Sequence, residues 1–142
     1  MQRRTRFAAL AGLLSLGPSS MPGCSSFDTG PAEAAVTRFH AELDSEQYDQ
    51  IYAGAAEDLR QVSAADDFRD LLAAVHRKLG AARSAQRLGW RLNDQTSGRY
   101  VELTYRTSFE GGEATEDYVY RMEGSDPRLA GYHINSNALI LK

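Results

Sequence analysis

Hydrophobic residues change their period halfway along this chain. Up to Leu79 they recur at steps of three and four; from Leu88 onward they alternate with polar ones. Ala35, Val36, Phe39 and Leu43 share one helical face, and Pro31 suits the first turn before them. Asp44 stands three places ahead of Gln47, a capping-box spacing. Tyr48, Ile51, Tyr52, Ala55 and Leu59 then make a second stripe over 46–59, weakened by Gly54. Ser63 with Asp66 repeats the capping spacing. Phe68, Leu71, Leu72, Val75 and Leu79 hold one face of a third helix, which Lys78 and Gly80 bring to its end.

The second half reads as strands. Leu88, Trp90 and Leu92 alternate with Arg87, Gly89 and Arg91, and 93–98 is a turn cluster. Val101, Leu103, Tyr105, Thr107 and Phe109 alternate with polar neighbours, which predicts one buried and one wet face. Glu110-Gly-Gly-Glu113 is a hairpin signal. Thr115 to Met122 follows, with Tyr118, Tyr120 and Met122 on its more apolar side. A turn at 124–127 leads to a fourth strand from Leu129 to about Asn135. Short connections make neighbouring strands antiparallel. The pattern predicts an α+β fold, three N-terminal helices packed on a four-stranded antiparallel sheet, in a single domain over 32–142.

The N-terminus changes the picture. Arg3, Arg4 and Arg6 precede a run of about ten apolar residues, too short to span a bilayer, which takes about twenty. Gly17 and Pro18 break it. Met21-Pro22-Gly23-Cys24 resembles the bacterial lipobox: a large apolar residue, small residues, then a lipidated cysteine. Gly23 and Cys24 match that pattern, Met21 is an acceptable large residue, and Pro22 departs from it. The resemblance implies a signal peptide over 1–23, a lipidated Cys24 and a short tether over 24–31. Cys24 is the only cysteine, so no internal disulfide is available. Several acyl chains on one cysteine anchor stably where a single chain does not. Ser25 after the cysteine resembles the pattern sorted to the outer membrane, so the expected address is its periplasmic face.

Removing a leader with three arginines and no acid takes the net charge from −3 to −6. An acidic domain of this kind argues against nucleic acid as a partner, and against a polybasic grip on anionic lipid.

Motifs for chemistry are few. His40, His76 and His133 have no metal-ligand spacing, and no zinc, serine-hydrolase or phosphate-loop motif is present. No metal or cofactor is expected. The aromatic residues suggest a pocket drawn from Trp90, Tyr105, Phe109, Tyr118, Tyr120 and His133, although core packing is the simpler role for most of them. The inward positions of the strong strand hold no acid, and the parity of Asp117 points it to water. An inward acid or histidine within reach of a tyrosine hydroxyl would favour chemistry. A cone mouth plugged by Trp90 and Phe109 would favour interaction.

The element order resembles the nuclear transport factor two-like, or cystatin-like, cone, and most closely uncharacterised bacterial envelope lipoprotein domains. The residues that carry the resemblance are 39–48 (Phe-His-Ala-Glu-Leu-Asp-Ser-Glu-Gln-Tyr), Leu79-Gly80, the hairpin from Tyr105 to Gly111, and Gly131-Tyr-His-Ile134. Those domains often carry a Trp just before the closing strand, where this chain has Pro127 and Arg128. Such cones host isomerases, dehydratases, ligand binders and inert modules, so the resemblance implies a fold and no catalytic set. The expected function is a lipid-anchored, non-enzymatic binding or accessory domain of the envelope. Its expected partners are the membrane through Cys24, an envelope protein or small apolar ligand, and a second copy of the chain. The alternative is a cone-pocket isomerase or dehydratase, or a carrier of a small apolar molecule.

Overall fold

Four antiparallel strands lie in the order of their sequence, and the helices that precede them cover one face. The computed structural model describes residues 26–141. The leader over 1–23 and the lipidation at Cys24 lie outside the described residues. The elements are α1 (Gly30–Asp44), α2 (Tyr48–Ala53), α3 (Glu57–Val62), α4 (Ala65–Leu79), β1 (Ala82–Gln95), β2 (Gly98–Phe109), β3 (Gly112–Glu123), β4 (Asp126–Asn135) and α5 (Asn137–Leu141). The expected α+β architecture is present. No helix among the described residues is long and apolar enough to cross a membrane.

The core lies between α1, α4 and the inner face of β2 and β3. Leu43, Leu72, Leu79, Val101, Leu103 and Tyr118 are wholly buried there. All five inward positions expected on β2 are buried, from Val101 to Phe109 in steps of two. On β3 the same period buries Ala114, Glu116, Tyr118 and Tyr120.

The second predicted helix is two short ones. Gly54 caps α2, with its N–H reaching back to Gln50. Two residues on, the Ala56 N–H donates to the Leu129 carbonyl of β4 at 2.9 Å. A backbone donor committed to the sheet cannot also close a helical turn, so the stripe breaks there. Neither capping box forms. Ala64, not Ser63, is the N-cap of α4, and Asp66 turns to Arg69 at 2.8 Å. Asp44, the last residue of α1, accepts instead from the Ala82 N–H at 3.1 Å and ties α1 to the start of β1.

The end of α4 is built around two glycines. Gly80 takes φ +71° and stops the helix, as its position predicts. Gly111, in the β2–β3 turn, donates to the Leu79 carbonyl at 2.7 Å. A Cβ on Gly111 would stand 2.8 Å from the Lys78 carbonyl oxygen, so only glycine lets the hairpin tip close on the helix end.

The first strand starts earlier than its apolar pattern, at Ala82, and carries a bulge between Arg87 and Gly89 that leaves Leu88 without a cross-strand partner. It is a sheet edge, and most of it is exposed on both faces.

Candidate functional site

Glu116 is the acid that the strand reading leaves out. It shares the parity of Tyr118 and Tyr120 on β3 and is 0% exposed. Burying a lone carboxylate costs several kcal/mol, so it needs partners. It has three donors. His40 Nε2 on α1 lies 2.8 Å from Oε2, Thr107 Oγ1 on β2 donates to Oε2 at 2.5 Å, and the Tyr132 hydroxyl on β4 donates to Oε1 at 2.8 Å. A carboxylate only accepts, so the proton of the shared His40–Glu116 bond belongs on Nε2. The Tyr118 hydroxyl stands 3.0 Å from the same nitrogen.

The electrostatics follow from this geometry. Burial pushes the Glu116 carboxyl up. The hydrogen bond from His40, the His40 charge, and the bonds from Thr107 and Tyr132 outweigh burial and hold it below its usual value. Burial raises Tyr118 and Tyr132 well above the usual phenol, and the Glu116 charge beside them adds to the rise. The cluster is an ionised carboxylate ringed by neutral phenols. Phe39 completes the ring, with its centroid 5.2 Å from Tyr118 and 4.8 Å from Tyr132.

An inward acid and a histidine within reach of tyrosine hydroxyls therefore exist, but they are sealed. Glu116, Thr107 and Tyr118 have no exposed surface, and the His40 side chain retains only 11%. That remnant lines a shallow cleft beside Thr37 and the start of β1.

An open cleft of about 220 Å³ lies beside this cluster, between α1, α2 and the β3–β4 end of the sheet. Ala35, Phe39, Ile51, Pro127 and Leu129 give it apolar walls, and Arg38 and Glu42 on α1 with Asp126 and Arg128 on β4 add charges of both signs. Tyr120 also lines it. The Tyr120 hydroxyl is a buried side-chain oxygen without a hydrogen-bond partner among the described residues. Burial raises this phenol far above its usual value, against the opposing pull of the Arg38 charge. An unpaired buried hydroxyl costs about 1–3 kcal/mol, which a bound acceptor would recover.

The candidate pocket residues divide. Tyr105, Phe109, Tyr118 and Tyr120 face the buried side of the sheet. Trp90 lies apart on β1, 46% exposed and stacked on Phe27 at 6.1 Å. His133 is exposed on β4, in register with Asp117, whose carboxylate accepts from Thr104. Sequence reasoning missed Glu116 and the pairing of His40. Stepping the Tyr118–Tyr120 parity back by two residues marks Glu116 as inward, and an inward acid demands a buried donor.

These features define a small α+β domain with a closed, charged core and a cleft beside it. The chain belongs to a family described as Protein of unknown function (DUF4019), which matches residues 35–132. A search of curated proteins finds no match.

Proposed function

We propose that this chain is a lipid-anchored binding domain of the cell envelope, built on a nuclear transport factor two-like cone. It would act by holding a small ligand in the cleft between α1, α2 and β3–β4, with no chemistry in the core. The observation that carries this reading is the Tyr120 hydroxyl, buried in the cleft wall without a partner among the described residues. The lining mixes apolar side chains with the charges of Arg38, Glu42, Asp126 and Arg128, which suits a small ligand with polar groups on an apolar frame, and Tyr120 favours a hydrogen-bond acceptor on it. Lipidation at Cys24 would hold the domain at the periplasmic face of the outer membrane, which concentrates it near ligands carried in or released from that membrane. The leader sequence and the lipobox support the address.

The test is native mass spectrometry of the domain purified gently from its own envelope. A bound mass of a few hundred daltons supports the reading, and a domain that is always empty contradicts it. Replacing Cys24 with Ala should release the protein from membranes; retention of that variant, with no acyl mass on the wild type, contradicts the anchor.

A second reading has its own observation. His40, Glu116, Tyr118 and Tyr132 form a base-and-donor set of the type that isomerases and dehydratases use. It requires the core to open, because Glu116 has no exposed surface. Turnover lost in Glu116→Gln and kept in Tyr120→Phe would favour it over the binding reading.

A further inference from the structure

Phe27, at the start of the described chain, is held against the sheet. It stacks on Trp90 at 6.1 Å, and the Arg99 guanidinium lies over its ring at 6.0 Å. The next residues are fixed as well. Asp28 accepts from the Gly30 N–H at 2.8 Å, and Arg87 on β1 donates to Thr29 at 2.9 Å. The entry into α1 is thereby joined to the first strand.

Cys24 is three residues before Phe27. Three residues span at most about 11 Å, even fully extended. The headgroup zone of one leaflet is about 5–8 Å thick. A cysteine whose acyl chains enter the hydrocarbon therefore leaves Phe27 at most about 6 Å beyond the headgroups when the tether is fully extended, and among them when it is not. Trp90, stacked on Phe27, is held close to the same height. Two residues before it on β1 is Leu88, the bulge residue without a cross-strand partner. Leu88 is 48% exposed and Trp90 46%.

We infer that the Phe27–Trp90–Leu88 patch on the free edge of the sheet rests in the lipid headgroups and fixes the orientation of the domain on the membrane. This inference depends on the anchoring at Cys24 proposed above. The occupant is a bilayer surface. Tryptophan suits it, with an apolar ring and an indole N–H that prefers the wet side. The patch is close to neutral. Arg99 pairs with Asp94 at 2.6 Å and Arg91 with Glu102 at 3.5 Å, so binding would come from aromatic burial and would not need anionic lipid. The cleft at Tyr120 lies on different elements and keeps its mouth free of β1.

The chain offers a clean test, because it has one cysteine and one tryptophan. The chain from Cys24 to Lys142, which contains every described element, is coupled through Cys24 to a maleimide lipid in phosphatidylcholine vesicles. Trp90 emission is compared with that of the uncoupled protein. The expected result is a shift to the blue and quenching by lipid brominated near the headgroup, both retained in high salt. Phe27→Ala, which removes one ring of the patch and the stack on Trp90, should weaken the quenching while the Arg87–Thr29 bond and the fold are kept. Emission that matches the uncoupled protein, with no quenching, overturns the inference. So does a blue shift that grows with protein density without quenching, because a second copy then covers the patch. Acylation is read separately, from the mass of the chain drawn from its membrane. An unmodified Cys24 overturns the anchor and this inference with it, whereas an acylated chain with an unquenched Trp90 overturns the inference alone.

Discussion

His40 Nε2 lies 2.8 Å from Glu116 Oε2, and this bond joins α1 to β3 through the middle of the core. The two residues are 76 positions apart in the chain. Thr107 and Tyr132 also donate to Glu116, and the Tyr118 hydroxyl reaches the same His40 nitrogen, so the pair is the centre of a buried network that water cannot replace. Removing one partner from such a buried pair costs about 3–5 kcal/mol, a large part of the stability of a domain this size.

Glu116→Gln tests this dependence against pH. The folded carboxyl sits below its usual 4.5, because His40, Thr107 and Tyr132 favour the ionised form over the effect of burial. Its stabilisation is therefore complete above pH 4.5 and is lost as pH falls through the lower folded value. At neutral pH the variant should be less stable than the wild type by at least about 1–3 kcal/mol. The gap should narrow in acid. Denaturant unfolding at several pH values reads it, and a gap that stays constant from neutral to acid contradicts a buried, ionised Glu116.

The buried phenols make the opposite prediction at high pH. Burial raises Tyr118, Tyr120 and Tyr132 above the usual 10. A raised folded value means that their stabilisation is present below pH 10 and disappears as pH rises through the raised values. Ultraviolet titration of the seven tyrosines should leave these three protonated until the domain unfolds. Seven phenols titrating together before any loss of structure would contradict the sealed core.

Gly111→Ala probes the contact between the hairpin tip and α4. The added Cβ meets the Lys78 carbonyl oxygen at 2.8 Å and the Leu79 backbone at 3.1 Å, neither of which is a flexible side chain. The cost should be about 1–3 kcal/mol, as for other overpacked sites. Thermal unfolding measures it. An unchanged midpoint would show that the tip does not close on the helix.

Tyr120→Phe should separate stability from binding. Deleting an unpaired buried hydroxyl removes its desolvation cost, so the empty domain should gain up to about 1–3 kcal/mol. Natural sites often carry such a cost where a ligand recovers it. A variant less stable than the empty wild type would show that the hydroxyl is already satisfied.

The sequence reveals whichever features are periodic. The stripe of Phe68, Leu72, Val75 and Leu79 defines α4, and the alternation of Val101 to Phe109 defines β2 and its buried face. Each rests on local repetition that only one packing satisfies. The break between α2 and α3 was hidden, because it depends on a hydrogen bond to Leu129, far along the chain. Glu116 was half legible: its parity is plain, but one acid in a row of tyrosines identifies no donor. His40 shows only as a neighbour of Phe39 until α1 is laid over β3. The unpaired Tyr120 hydroxyl and the Phe27–Trp90 stack are properties of side-chain placement, and no pattern along the chain encodes them.

Ligand retention by the wild type and Tyr120→Phe, purified side by side from the same envelope, tests the binding account most directly. Native mass spectrometry of the intact domains is the readout. The account predicts a bound mass of a few hundred daltons on the wild type and its loss from the equally folded variant. An empty wild type, or a ligand that Tyr120→Phe holds just as well, would contradict it.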